Sequence, residues 1–469
     1  MVKFRLIIIL IIGYSSTYAQ EGANDSIKSV SHSLNVESGA LISVRSELPF
    51  WVKGNNSNRF TDEFANSLYQ IYSYNGNTKI IEGLRAQWNI ETIFGVRETI
   101  NGSIIQANGG IQTRFLSLNI GLTEEEFGLN DSTLSIGNLV YGNNARPIPK
   151  ISLSTNGWKK PPLLGRVVSF RGYLAHGQFE NNRYQSNAYL HQKYFYLRFS
   201  TISQRLSLIG GLNHNAQWGG NNLLNETSQP TGFINYARIF VGSSGGADAL
   251  LTDQINALGN HLGSYDLRGS MKFKHFTLSN YWQFLWEDKS GLTPFNWRDG
   301  LMGISLDLNN SELINKLVFE IVRTNNQNAQ KTADDGTPIF EPDNFLNNGV
   351  YKSGWSFQNV VIGNPIFLIL NPESQSISRI KNSINALNIG VEGRVKGLHY
   401  KIKYTDFKNK GTKYEIITPT LRMKSVDIDI NYQIDGYSRI SGRMNYQNAN
   451  FDGGNNLAFQ ISYSKSFNF

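Results

Sequence analysis

Three aromatic clusters stand beside amide and guanidinium groups: His214-Asn215-Ala216-Gln217-Trp218, Asn296-Trp297-Arg298, and Tyr351 with Trp355 and Phe357. A sugar ring offers an apolar CH face edged by hydroxyls, so an aromatic platform flanked by Asn, Gln and Arg donors suits both parts of it. Trp218, Gln217, His214, Arg298, Trp297, Tyr351 and Trp355 are therefore the expected polysaccharide contacts, placed on loops. The competing use of such rings is packing or, in a membrane barrel, the girdle at the lipid–water boundary. Trp88, Trp282 and Trp286 fall inside strand patterns and are assigned to that girdle.

Residues for covalent or metal chemistry are sparse. Gly242 to Gly246 spells G-x-S-x-G, but a nucleophile elbow needs a strand before it and a helix after it, and this string sits in a Gly/Ser-rich expected loop. No GxxxxGK[ST] phosphate cradle and no H-E-x-x-H occurs. The seven His (32, 176, 191, 214, 261, 275 and 399) lack metal-ligand spacing, and His191 and His214 read as loop or girdle residues. Asp334, Asp335, Glu341 and Asp343 cluster in the longest expected loop without the spacing of a 12-residue calcium loop. Zero Cys excludes disulfide scaffolds, thiolate zinc sites, iron–sulfur clusters and cysteine nucleophiles. No enzyme, metal or cofactor is expected.

The elements that would carry the aromatic clusters follow from composition and period. The chain has 469 residues, 44 of them Gly, with 40% hydrophobic, 12% aromatic and 17% charged residues. A mean hydropathy of -0.32 is too polar for a helical membrane protein. Few charges and many aromatics exclude a disordered chain. Lys3 and Arg5 precede an unbroken apolar run from Leu6 to Ile12, and Thr17-Tyr18-Ala19 supplies small residues where a signal peptidase reads. Residues 1–19 are thus expected to be a signal peptide, with residues 20–469 as the mature protein. Its removal takes two positive charges and lowers the net charge from +8 to +6. Export without Cys points to a Gram-negative envelope. Since no later run resembles a spanning helix, membrane residence would require strands.

Period-two alternation dominates. In Leu457 to Phe469, residues Leu457, Phe459, Ile461, Tyr463, Phe467 and Phe469 share one face, broken only by Lys465, and Gln460, Ser462, Ser464, Ser466 and Asn468 share the other. A soluble sandwich would show the same pattern. A terminal Phe closing the alternation resembles the C-terminal signal of outer-membrane barrels, which makes the barrel assembly machinery an expected partner. Counting back from a descending last strand gives a periplasmic C-terminus and strands Ser438 to Gln447, Met423 to Gln433, Leu398 to Asp406 and Leu387 to Val395. Asp435-Gly436 and Lys396-Gly397 form the tight turns. Upstream lie strands Leu317 to Arg323, Leu301 to Leu308, His275 to Trp286, Leu267 to Phe273, Tyr194 to Phe199 and Leu84 to Phe94. Thr324 to Asn385, Glu287 to Asp299, Asn213 to Gly263 and Glu180 to Leu190 fall outside the cell. Before Arg166 the strand direction is not set. Mature length suits an all-β transmembrane antiparallel barrel of about 16–18 strands, its lumen occluded by loops.

Inward Arg439, Arg443, Lys401 and Lys403 could attract an anionic polymer or phosphate-bearing lipid, or be neutralised by inward Asp427, Asp429 and Glu392. Outer-membrane lipids, including lipopolysaccharide, are the expected surroundings. Nucleic acid is not an expected partner.

Several strings together resemble the Wzi-type capsule assembly family: Leu48 to Phe60 (LPFWVKGNNSNRF), Gly142 to Ile151 (GNNARPIPKI), His191 to Phe199 (HQKYFYLRF), Asn213 to Gly220 (NHNAQWGG), Asp299 to Gly303, and Val350 to Phe367. The resemblance implies 18 strands, a lumen closed by loops outside and a small helical element on the periplasmic side. It also implies a lectin-like role, holding capsular polysaccharide at the outer surface, and carries over no catalytic residue. Only Thr61 to Tyr72 reads as a short helix, which departs from a three-helix periplasmic bundle. The alternative function is a porin-like channel for small anionic solutes. An enzyme acting on lipid or glycan would need a rim His with a carboxylate partner.

Overall fold

An alternating strand in lipid must pair on both edges, because an unpaired backbone group there costs several kcal/mol. The chain meets this demand by closing on itself. The computed structural model describes residues 30–222, 224, 227–287, 298–308, 311, 313–327 and 343–469. Residues 1–19, Trp297, Asp334, Asp335 and Glu341 lie outside them.

Among the described residues, eighteen strands form one antiparallel barrel in which each pairs with its neighbours in the chain. They are β1 (Val30–Ser43), β2 (Ser67–Ile81), β3 (Leu84–Val96), β4 (Ile100–Thr113), β5 (Leu116–Leu122) and β6 (Lys150–Thr155). Next come β7 (Val168–Gln178), β8 (Tyr189–Ser200), β9 (Leu206–Trp218), β10 (Asn260–Lys272), β11 (Phe276–Glu287) and β12 (Gly300–Leu308). The last six are β13 (Lys316–Arg323), β14 (Ile384–Val395), β15 (Leu398–Gly411), β16 (Ile416–Gln433), β17 (Ser438–Ala449) and β18 (Asn456–Asn468). Closure is made by β1 and β18, in register from Ser33 against Asn468 to Ser43 against Ala458. It also settles direction for every strand before Arg166: β1 starts at the end of the barrel where β18 finishes.

That end carries the tight turns, including Lys396-Gly397, where φ is 47° and 83°, the left-handed pair that matches strand twist. The opposite end carries the long connections 44–66, 123–149, 179–188, 219–259 and 324–383. The stretch 143–165 is divided: 143–149 belongs to the long-loop end and 156–165 to the short-turn end.

Outward residues form an apolar belt, with Leu208 54% and Ile461 61% exposed among many others. Aromatic rings lie over glycines of adjacent strands. A Cβ at Gly39 would sit 2.4 Å from the Tyr69 ring, and one at Gly263 2.4 Å from Trp286. Part of the high Gly content serves this inter-strand fit.

Three expectations are corrected. Thr61 to Tyr72 is not a helix: a single 3-10 turn, Asp62–Phe64, precedes β2 from Ser67, whose alternating side chains follow the barrel wall. The helices described here, α1 (Phe50–Lys53), α2 (Phe233–Val241) and α3 (Leu251–Ile255), all belong to long-loop-end connections, so none of them stands at the short-turn end with Phe469. Asn213 to Trp218 and Asn260 to Gly263 are strand ends, not loop. Their residues are buried on both faces, which removes the polar/apolar alternation that marks a half-exposed strand.

Candidate functional site

A barrel of sixteen to eighteen strands leaves an aqueous channel unless something fills it. Here residues 123–149 turn back into the lumen. Arg268 on β10 donates to the carbonyls of Leu129 (2.8 Å) and Asn130 (3.1 Å). Gln283 on β11 accepts from the Leu139 amide at 2.7 Å, and Glu320 on β13 accepts from the Ile136 amide at 2.7 Å. Glu320 is fully buried and also receives Tyr281 Oη (2.8 Å) and Asn388 Nδ2 (2.8 Å), so three donors compensate one desolvated carboxylate. Thr133 reaches Glu392, three residues from the short-turn end of β14, so the plug runs most of the lumen's depth.

The segment 343–383 caps this plug from the long-loop end. Trp355 Nε1 donates to Val140 O at 2.6 Å, Asn364 Nδ2 to Ile136 O and Gly137 O at 3.0 Å, and Asn144 Nδ2 to Val361 O at 2.8 Å. Their apolar side chains share one core with the inner wall, including Phe127, Leu139, Tyr141, Phe345, Ile366 and Phe367. Lys150, at the start of β6, is buried with Glu125 at 2.6 Å, Tyr141 Oη at 2.9 Å and Gln192 Oε1 at 3.0 Å. Arg443 pairs with Asp427 through two bonds, at 2.8 and 2.9 Å, with Asp429 at 3.6 Å. This inward charge is neutralised within the wall.

The residues expected to contact polysaccharide divide between the two faces of the wall. Gln217 points inward, donating to Gly354 O (3.0 Å) and accepting from Asn260 (3.1 Å). Tyr351 donates to Gly219 O at 3.2 Å, and Trp355 is 0% exposed. Trp218 and His214 point outward, yet both are buried, Trp218 beneath the 219–259 connection and His214 among His191, His261 and Trp286. Trp218 packs on Tyr189 (5.0 Å between ring centroids) and Tyr236 (5.7 Å). These five are therefore not an exposed loop platform, because loops packed on both sides of the wall enclose them. Arg298 is exposed beside Asp299. Asp299 accepts the amides of Asn326 and Gln327, and burial raises its pKa.

Two assemblies escape a reading of spacing alone. His176, His191, His214 and His261, from four adjacent strands, gather on the outer wall. His214 Nε2 and His261 Nδ1 are 2.8 Å apart with rings stacked at 5.0 Å, and His191 meets His214 edge-on. No group of three or more potential metal ligands forms among the described residues. At the long-loop surface, Lys352 Nζ stands 4.9 Å over the Tyr184 ring. The Tyr184 hydroxyl is held below its usual pKa by its hydrogen bond with Asn222 and by Lys352. Ser353 Oγ accepts the Tyr184 amide at 2.9 Å, seating this pair over the buried Tyr351 and Trp355. The G-x-S-x-G string is the exit of α2: Gly242, at φ 66°, is its left-handed cap, which accounts for the glycine without a nucleophile.

A family model described as capsule assembly protein Wzi matches residues 25–367. Among solved structures, the chain is similar to Escherichia coli Wzi, described as an outer membrane protein involved in group 1 capsule assembly and a carbohydrate-binding β-barrel. Identity is 14%, with 92% of this chain and 83% of that one covered at a TM-score of 0.60. Pseudomonas aeruginosa OccK5 (OpdH) aligns at 10% identity over 94% of this chain and 98% of its own, with a TM-score of 0.48. No curated protein matches. The likeness to E. coli Wzi is one of fold, and the family match over most of the sequence establishes that this chain belongs to the Wzi capsule assembly family.

Proposed function

We propose that the protein is a non-enzymatic, lectin-like barrel that holds capsular or extracellular polysaccharide at the cell surface. The observation that carries this reading is the doubly filled lumen. Plug 123–149 and cap 343–383 leave a wall, not a conduit, and the same two segments support the outer face from below. The porin-like alternative for small anions is disfavoured by that filling and by the pairing of Arg443 and Lys150.

Polymer contact belongs to the groups this support presents outward. Tyr184 offers a ring face and hydroxyl, Lys352 a cation for acidic sugars, and Arg298 a guanidinium fork. Of the residues first expected, Trp355, Tyr351 and Gln217 hold the outer face in shape from below. Residues 1–19 act as the signal peptide, and the short-turn end with Phe469 faces the periplasm. The last strand is the element the assembly machinery reads, and lipopolysaccharide surrounds the belt.

The decisive comparison is surface-attached against shed polysaccharide in cells with and without the protein. Loss of the attached fraction is expected, and unchanged attachment would sink the reading. In purified protein, Tyr184→Ala with Lys352→Ala should weaken polysaccharide retention by roughly tenfold while leaving the barrel folded, as two half-buried contacts at about 0.7 kcal/mol each imply.

A further inference from the structure

The outer wall of β7 to β10 is unfit for lipid near the long-loop end. On β9, Leu206 and Leu208 face out and are exposed, but the outward positions that follow Leu212 are His214, Ala216 and Trp218. His191 and Lys193 on β8 and His261 on β10 share that face. An outer-membrane belt is about 25 Å tall on tilted strands, or about ten residues and five outward positions. Leu206 to His214 spans five, so the polar wall begins inside the belt.

The 219–259 connection covers it. Helix α2 lies against this wall through Ile239 and Tyr236, with Ala249 and Leu258 completing the contact. Lys193 Nζ stands 4.0 Å over the Phe240 ring and donates to Phe240 O at the helix C-terminus, where a cation is favoured. Among the described residues the opposite face of α2 has no cover. At 100° per residue, Phe233, Ala237, Val241 and Ile234 fall within one 100° arc without a charged residue. Phe233 is 84% exposed and Val241 71%. Leu251 and Ile255 of α3 are as exposed. Water is a poor solvent for such a surface, and the lipid-facing belt continues directly below it on the same strands.

We propose that α2 is a membrane-interface element: it lies on the outside of the barrel at the rim of the belt, with its Phe233–Val241 face in the acyl chains of the surrounding leaflet. The helix supplies the apolar surface that the His- and Lys-bearing strands beneath it lack. Arg238, at the edge of the apolar arc, is drawn away from it by its bond to Asn235 Oδ1 (2.7 Å), which leaves the arc free of charge. An interfacial collar on one side of the barrel sets the height of the long-loop face above the bilayer.

The chain has no Cys, so single thiols can be read without background. Phe233→Cys and Val241→Cys, with Leu208→Cys as the lipid reference and Asn182→Cys as the water reference, are labelled with bimane in full-length protein. The labelled protein is reconstituted into phosphatidylcholine–phosphatidylglycerol vesicles. Acyl-brominated phosphatidylcholine should quench positions 233 and 241 to within about twofold of position 208, and aqueous iodide should quench them several-fold less than position 182. Iodide quenching equal to that at 182 would overturn the proposal. Protection from both quenchers would overturn it too, assigning the face to a protein cover, and disulfide cross-links between chains of the unlabelled Phe233→Cys variant would identify that cover as a second copy.

Discussion

Glu320 and Lys150 show how single residues hold the plug. Each is charged, buried and satisfied by groups from different segments, so removing one partner strands the others. Lys150→Met leaves Glu125 without its cation and should cost about 3–5 kcal/mol, whereas Lys150→Met with Glu125→Gln should recover most of that loss. Chemical denaturation in detergent micelles measures both, and equal destabilisation by the single and double variants would refute the pairing. Trp355→Ala, which empties a fully buried site and removes the bond to Val140, should cost about 3–5 kcal/mol. Its effect on polysaccharide retention should follow the loss of folded protein. A variant that binds poorly while folding normally would restore Trp355 as a direct contact.

Among the elements, the connection 123–149 is the one that decides whether the barrel conducts. Its bonds to β10, β11, β13 and β14 anchor it to the wall on which Asp266, Gln283 and Glu320 already stand. Replacing residues 126–142 with a short Gly/Ser linker should turn a silent barrel into one with stable conductance steps in planar bilayers. Steps absent from the shortened protein would mean that 343–383 closes the lumen unaided. The strand tops Tyr189–Lys193, Asn213–Trp218 and Asn260–Ser264 belong to this scale as well. Plug inside and α2 outside bury both faces, so their side chains follow neither an apolar-out nor a polar-in rule.

For the whole molecule, filling and charge pairing agree. A lumen whose long-loop half is packed with Phe, Leu, Ile and Trp, and in which Lys150 and Arg443 are held by carboxylates, lacks the open path of an anion pore. The intact protein is therefore expected to show no stable single-channel conductance in planar bilayers at any common salt concentration. Large, persistent steps from the unmodified chain would return the porin reading.

The barrel itself was legible without coordinates. From Leu387 to Phe469, pattern alone marked the strands, the Lys396-Gly397 and Asp435-Gly436 turns and the inward Arg443 with its carboxylates, because lipid on one side and a polar lumen on the other impose a strict period of two. The strings that resemble the Wzi family were equally visible, though not their use. LPFWVKGNNSNRF, GNNARPIPKI, NHNAQWGG and the Val350 to Phe367 segment meet in space through Asn55 with Asn144, Asn144 with Val361, and Gln217 with Gly354. Which side of the wall Trp218 occupies, that four His from separate strands converge, and that Trp355 lies under the surface instead of on it were decided by tertiary folding. A strand's period records only the two environments flanking it. Where plug and helix replace water and lipid, the same residue types serve packing, and no local pattern distinguishes that from recognition.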